Sequence, residues 1–395
     1  MPRIIFINRV YWPSAEATAQ ILRDLTIGLA ATGTSVIVIT DTPIDPELQD
    51  NVPNLKVYRT GNRTQRKLGI VSKLLGYARF IDAAKITIKK ILNPDDRVVA
   101  MTDPPMLGPK IGPTVRRSGG KIWHWSQDVY PEVALAIKPF GHLTNLMRIL
   151  IPHRNREWAQ SSGIVAIGSD MADCIAQTGI SRTLISISPN WSPINLVPQS
   201  RINQRERWEI QPDKFLLTYS GNLGRAHTLN PLIDLVRLLQ PNEQVETLIV
   251  GNGPQRATLI KLVSSQNLRR CHFKQSVPIS ELESSLAAAD VHVITMRPDC
   301  VGTVWPSKFY GVISVSRPMI FIGPKTAEIA QLITHHQLGI AVEPTNLEAA
   351  QQFVERLCSD PSTYDAFCLR VGQFAHQQPG RIGAVQFWNG IVASS

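Results

Sequence analysis

Cysteine is scarce in this sequence. Its five cysteines, Cys174, Cys271, Cys300, Cys358 and Cys368, are scattered and include no Cys-x-x-Cys pair. Such an odd, dispersed set argues against a disulfide framework or a thiolate metal site and fits a reducing compartment. The nine histidines show no His-x-x-x-His spacing, and the neighbours His335 and His336 point to different faces, so no metal is expected. No apolar run approaches the roughly 18 residues that cross a bilayer. Ile4 to Ile7, followed at once by Asn8 and Arg9, is too short for a signal-peptide core, and the expected location is cytoplasmic. Acidic charge is also short: 31 Asp and Glu stand against 41 Lys and Arg, a net +10 that asks for an anionic partner. No Gly-x-Gly-x-x-Gly follows the first strand and no Gly-x-x-x-x-Gly-Lys-Ser/Thr occurs, which weighs against a nicotinamide dehydrogenase and a P-loop NTPase.

A hydrophobic share of 43% with 18% charged residues fits a folded chain, and 395 residues call for two domains. Short β-rich runs alternate with helical ones throughout. Arg3–Asn8, Val36–Thr40, Val98–Thr102, Lys121–Ser126 and Ile164–Ile167 read as strands in the first half. Phe215–Tyr219, Glu246–Val250, Val291–Thr295, Met319–Ile322 and Ile340–Val342 do so in the second. Many are continuously apolar, as strands buried on both faces must be, which predicts two doubly wound parallel sheets with chemistry in a cleft outside their carboxyl ends. Ser188 to Pro212, rich in Pro, Asn, Gln and Ser, is the linker candidate. The resulting division is 1–190, a linker at 191–212, 213–375, and a closing helix at 376–395 around Phe387-Trp388-Asn389.

Ser220-Gly221-Asn222-Leu223-Gly224-Arg225 lies between the strand ending at Tyr219 and a helix expected from Leu229 to Leu239. Strand, glycine turn and helix start together make a phosphate pocket, with Arg225 adding a fixed planar cation. Pro306-Ser307-Lys308 opens another helix, where a lysine in the first turn makes sense if an anion shares the site. Val250-Gly251-Asn252-Gly253-Pro254 is a further tight turn at a strand end. Asp290 enters a strand and reads equally as structural.

In the first half, Tyr11-Trp12-Pro13-Ser14-Ala15-Glu16 follows strand one. Its two aromatics and the Glu16 carboxylate suit a sugar, or else Tyr11 and Trp12 pack beneath the loop; Ser14 could cap a helix running to about Ala31. Asp103, in Thr102-Asp103-Pro104-Pro105, is either functional or a turn residue. Around the end of Lys121–Ser126 stand His124, Asp128 and Glu132, any of which could accept the proton of an attacking hydroxyl. Asp128 could equally cap the next helix.

Between Lys56 and Pro94 there are ten Lys or Arg and one acid, Asp82. Ile70, Leu74, Tyr77, Ile81, Ala84, Ile88 and Ile91 form a helical stripe, with Lys73, Lys85 and Lys89 off it. This is either a core-packed helix with a solvated basic face or a patch held against anionic lipid or a lipid diphosphate. Nucleic acid is disfavoured, since no binding motif or aromatic platform accompanies the charge.

Taken in order, these pieces resemble glycosyltransferase family 4, retaining enzymes of the GT-B fold, and in particular the branch that builds bacterial exopolysaccharide, O-antigen and capsule, colanic-acid-type transferases included. The carrying motifs are Tyr11-Trp12-Pro13 with Ala17-Thr18-Ala19-Gln20, Gln127 to Glu132, Ser220 to Gly224, Val250 to Pro254, and Pro306-Ser307-Lys308-Phe309-Tyr310-Gly311. The resemblance implies an α/β, GT-B architecture of two Rossmann-like domains facing a central cleft, with the last helix crossing back to the N-terminal domain. It implies acceptor binding in the N-terminal domain, at Tyr11, Trp12, Glu16, Asp103 and Glu132, with Asp128 and His124 catalytic. The C-terminal domain would take a nucleotide-sugar, with a UDP-sugar preferred. Gly221, Asn222, Gly224, Arg225, Ser307 and Lys308 would hold its diphosphate. Gly251, Asn252, Gly253, Val277 and Pro278 would face the nucleoside, and Thr303, Val304 and Glu328 the ribose and donor sugar. No cofactor or metal is implied, the nucleotide-sugar being substrate and the cations neutralising its charge. The implied acceptor is a polyprenyl-diphosphate-linked glycan, met by a protein peripheral on the inner face of the membrane through Lys56–Pro94. Two departures stand out. The two glutamates that the wider family places eight positions apart fall here on Thr303 and Gly311, and the first loop lacks the usual glycine pair. The lost glutamates keep a non-catalytic scaffold of a polysaccharide assembly complex in view, and the two-domain form a nucleotide-sugar 2-epimerase.

Overall fold

The structure, a computed structural model, describes residues 2–14, 16–43, 52–61, 70–139, 141–192, 202–224 and 227–394. Among these, thirteen strands form two sheets. The first half supplies β1 (Ile4–Ile7), β2 (Val36–Thr40), β3 (Leu55–Arg59), β4 (Arg97–Ala100), β5 (Lys121–Ser126), β6 (Gly163–Ala166) and β7 (Ile185–Ile187). They pair in the order β3-β2-β1-β4-β5-β6-β7, every pairing parallel. The second half supplies β8 (Phe215–Ser220), β9 (Val245–Val250), β10 (Cys271–Lys274), β11 (Val291–Thr295), β12 (Met319–Ile322) and β13 (Gly339–Val342). Their order is β10-β9-β8-β11-β12-β13, again all parallel. In both sheets the winding reverses beside the first strand, between β1 and β4 and between β8 and β11. Ligands of such sheets bind outside the carboxyl ends at that reversal.

The chain divides into two compact units, one comprising 1–193, 302–305 and 379–395, the other 194–301 and 306–378. In the first, Ile5, Ile7, Ile37, Ile39 and Val98 pack beneath the helix Ile70–Ile91 through Phe80, Ala84 and Ile88. That helix spans the stripe, but of the described stripe residues only Ile81, Ala84 and Ile88 are buried: Leu74 is 54% exposed, and its neighbour Leu75 53%. The closing helix Gly380–Ala393 packs on the helix Ala17–Ala31, with Trp388 fully buried against Phe6 and Trp125. Glu16, not Ser14, holds the cap position of Ala17–Ala31, without a side-chain bond, because Ser14 is turned back to donate its N–H to the Tyr11 carbonyl.

In the second unit Leu217, Tyr219, Leu232, Val236, Val245 and Ile249 lie in one core. The segment read as linker is folded from Ile202. A helix, Ile202–Arg207, precedes β8, and Arg205 is fully buried. Its guanidinium donates to Asp290 Oδ2 (2.6 Å) and to the Ala288, Pro212 and Lys214 carbonyls, while the same carboxylate oxygen accepts the Leu216 N–H (2.7 Å). Asp290 is thus a structural anchor. A polar composition misled because the arginine is wholly satisfied by backbone and one carboxylate, which makes burial of a charge tolerable. Residues 193–201 of that segment lie outside the described residues.

Candidate active site

At the reversal of the second sheet, β8 ends in Ser220-Gly221. The Gly221 N–H donates to the Val250 carbonyl, and the next turn, Gly251 to Gly253, lies alongside. A Cβ on Gly251 would sit 2.0 Å from the Gly221 oxygen, so two strand ends meet backbone to backbone only because no side chain is present. A Cβ on Gly221, whose φ is +136°, would fall 2.5 Å from Lys308 Cε. Lys308 opens the helix Lys308–Ser314 and reaches across that gap. Its Nζ is buried 3.6 Å from the centre of the Tyr219 ring, with no hydrogen-bond partner among the described residues. Burial pushes its ammonium well below the usual lysine range. The π-face recovers on the order of 2 kcal/mol of the desolvation cost, which still leaves a cation whose natural counter-charge is an anion supplied from outside.

His227, three residues past Gly224, completes this cluster. Its Nδ1 lies 2.9 Å from the Thr295 carbonyl at the end of β11; a carbonyl only accepts, so Nδ1 carries the proton. Burial and the neighbouring Lys308 lower its pKa to about 4, so the ring is neutral at physiological pH. Gln255 fastens the loop from below, donating to the Gly224 carbonyl (2.6 Å).

The first unit builds a different site at its own reversal. Arg9, just past β1, pairs with Asp103, just past β4, at 2.7 Å. Asp128, past β5, stands near that carboxylate, and burial with this like charge raises its pKa to about 6. Tyr130 is raised further by the same causes. Met101, Thr102, His124, Ser126, Asp128 and Tyr130 line a small cavity of about 30 Å³, room for one or two waters. A one-residue bridge pairs Asp128 with Val304, and the Val129 N–H donates to the Thr303 carbonyl (2.8 Å), fixing the loop that carries Asp128.

Residues 200–370 match the family model described as glycosyl transferases group 1. WbjE of Pseudomonas aeruginosa, named as a glycosyltransferase, is 24% identical over 290 residues, 71% of this chain and 70% of that one. The chain is a glycosyltransferase with the GT-B fold. WcaI of Escherichia coli K12, named for colanic acid biosynthesis, is 25% identical over 191 residues, 47% of each chain. Among solved structures, sucrose-phosphate synthase from Thermosynechococcus elongatus superposes with a TM-score of 0.78 at 16% identity, covering 100% of both chains. HepE of Anabaena, solved with UDP and glucose, gives 0.73 at 16% identity over 100% of both.

The site residues named from the glycosyltransferase's sequence fall into three groups. Gly221, Gly251 and Lys308 come together in the second unit, with Asn222, Ser307 and Asn252 on the same strand-end loops; Arg225 lies outside the described residues. Val277 packs against Trp208, Leu216 and Leu248, while Pro278 is exposed beside it. Glu328 begins the helix Glu328–His335 after β12 and is half-buried. Asp103, Asp128 and His124 gather in the first unit.

Most of the remaining residues are engaged in contacts within the first unit. Tyr11 is fully buried, its hydroxyl 2.9 Å from Thr26 Oγ1, so it packs beneath the loop and presents nothing to a ligand. Trp12 is capped by the Arg23 guanidinium, 3.9 Å from its ring centre. Glu132 is a clamp for the buried Arg154, which also donates to the Tyr130 carbonyl (2.6 Å). Thr303 and Val304, assigned to the donor-binding half, belong to the first compact unit, where their backbone braces Asp128 and Val129. Glu16 stays exposed on its helix end. His227, Arg9 and Tyr219 escaped the sequence reading. Only His227 carried a signal, its place just past the Gly221–Gly224 turn.

Proposed function

We propose that the protein is a retaining glycosyltransferase. It would move a sugar from a nucleotide-sugar, a UDP-sugar in preference, to a membrane-linked glycan acceptor in cell-surface polysaccharide synthesis. The observation that carries this reading is the buried Lys308 Nζ, without a hydrogen-bond partner among the described residues, beside Gly221 and Gly251, a cation and an open backbone turn suited to a diphosphate. HepE complexes with UDP and with UDP-glucose support the choice of uridine. The names of WbjE, WcaI and WaaG, the last involved in lipopolysaccharide biosynthesis, support the polysaccharide assignment.

In this reading the glycosidic bond from sugar to diphosphate breaks as the acceptor oxygen bonds to the same face of the sugar. Lys308 stabilises the charge developing on the diphosphate, and the acceptor's proton passes to that leaving group. No metal is required where fixed cations meet the diphosphate. On the first unit, Asp128 and Asp103 would orient the acceptor hydroxyl. The basic helix Ile70–Ile91, with Leu74 and Leu75 exposed near Lys73, gives a lipid-linked acceptor and an anionic membrane surface a place to dock. Among the described residues no helix is long and apolar enough to cross a membrane, in keeping with peripheral attachment at the cytoplasmic face.

A thermal-shift screen against UDP, GDP, ADP and their sugars, repeated with Lys308→Ala, tests the proposal. Stabilisation by one nucleotide class, abolished in the variant, is the expected result. Binding without turnover on any lipid-linked glycan would instead favour a scaffold. Isomerised nucleotide-sugar without acceptor would favour an epimerase.

A further inference from the structure

The first unit holds a buried charge network that the reading above does not use. His124, at the end of β5, points its Nε2 at Glu157 Oε1 of the helix Leu150–Ala159, 3.8 Å away; both side chains are about 95% buried. Glu157 is gripped in turn by Arg116, which donates Nη1 to Oε1 (2.6 Å) and Nη2 to Oε2 (2.8 Å). Arg116 belongs to the helix Leu107–Arg117, and the residues one and two turns before it on the same face are Gly112 and Gly108. A Cβ on Gly112 would lie 1.8 Å from Glu157 Oε1, and one on Gly108 2.3 Å from His124 Cε1. One helix face is therefore cut away to admit the carboxylate and the imidazole, and the next turn supplies the arginine that fixes the carboxylate.

We infer that Glu157, held by Arg116, is the positioning residue for His124: it sets the imidazole as the Nε2–H tautomer and leaves the Nδ1 lone pair as an acceptor for a sugar hydroxyl in the cavity beside Asp128. Nε2 makes no hydrogen bond among the described residues, but the Glu157 carboxylate 3.8 Å away favours by its charge the tautomer with the proton on that nitrogen. Nδ1 is then the nitrogen left for the cavity that His124 lines with Asp128, Tyr130 and Arg154. A lone pair there takes an O–H donor and repels a phosphate oxygen, which makes the ligand group a hydroxyl. Burial lowers the His124 pKa despite Glu157, so the ring is neutral when it does this. Stability alone accounts poorly for such a network, since buried ion pairs seldom outperform apolar packing.

The inference rests on the transferase reading for its functional consequence but not for its first readout. In the full-length protein labelled with ¹⁵N-histidine, long-range ¹H–¹⁵N correlation without substrate, assigned with His124→Gln, reports the tautomer. The expected result is Nε2–H in the wild type. Glu157→Gln, which offers an amide N–H in place of one carboxylate oxygen, should give a mixed population. Turnover in that variant should fall on the order of 10- to 100-fold with donor KM unchanged, and Glu157→Asp should recover part of it. Should Glu157→Gln not fold, Arg116→Gln, altering a partly exposed residue, should show the same mixing. An Nδ1–H imidazole in the wild type overturns the inference, as does a tautomer change that leaves kcat untouched. Failure of the transferase reading would appear differently, as a wild type that turns over no nucleotide-sugar.

Discussion

The two units solve opposite electrostatic problems on the same topology. At the reversal of the second sheet the polar work is done by backbone, with Gly221 and Gly251 in contact and one buried cation, Lys308, left without a counter-charge among the described residues. At the reversal of the first, all the charges but that of Asp128 are matched by neighbours among those described: Arg9 with Asp103, Glu132 with Arg154, Glu157 with Arg116. An unmatched buried charge is stored binding energy for an anion, whereas a matched one holds a shape. On that difference rests our proposal that one unit takes the ionic part of the ligand and the other a neutral, hydroxyl-bearing part.

Removing Lys308 should have the largest effect. Lys308→Ala is expected to lower transfer by roughly 10²- to 10³-fold, the usual cost of one electrostatic contact to a developing anion, while raising thermal stability. Its folded pKa is depressed, so the cost of burying the cation is present at low pH and fades as pH rises toward the ordinary lysine value of 10.5. The stability advantage of the variant should shrink over the same interval in a denaturation series. If it is less stable than wild type at pH 7, the lysine is matched after all.

Glu132→Ala should do the reverse. It strands Arg154, whose side chain is 3% exposed, and should cost about 3 kcal/mol, read as a lower urea midpoint, without altering nucleotide binding. A change in nucleotide affinity would break the contrast between the units. Asp128→Asn sharpens it by pH. The folded pKa of about 6 lies above the ordinary value of 3.8, so the aspartate's contribution is fully present below about 3.8 and lost as pH rises through 6. The asparagine variant should match the wild type near pH 4 and exceed its melting temperature above pH 7, with transfer impaired throughout. The smallest effect belongs to Tyr11→Phe. It removes the bond to Thr26 and should cost about 1 kcal/mol with acceptor KM unchanged; a raised KM would return Tyr11 to the acceptor surface.

Legibility of the fold tracked burial. Strands covered on both faces, such as Ile4–Ile7 and Met319–Ile322, read directly as apolar runs. The three strands that were missed, Leu55–Arg59, Ile185–Ile187 and Cys271–Lys274, all lie at sheet edges and are largely half-exposed, so their composition stays mixed. The glycine turns and Lys308 were legible because glycine and a helix-opening lysine carry their own chemistry at fixed spacing. Tyr11 and Glu132 misled because an aromatic or a carboxylate on a loop looks the same in sequence whether it meets a ligand or an Arg154.

By itself, then, the sequence determined two parallel sheets, their strand-end loops and a glycine turn in the middle of the chain, because these depend on neighbours a few residues apart. Tertiary structure alone decided which charges are paired. Arg9 finds Asp103 across 94 residues, Arg116 finds Glu157 across 41, and among the described residues Lys308 finds only the ring of Tyr219. Pairing of that kind is set by strand order and helix face, and no local pattern encodes it.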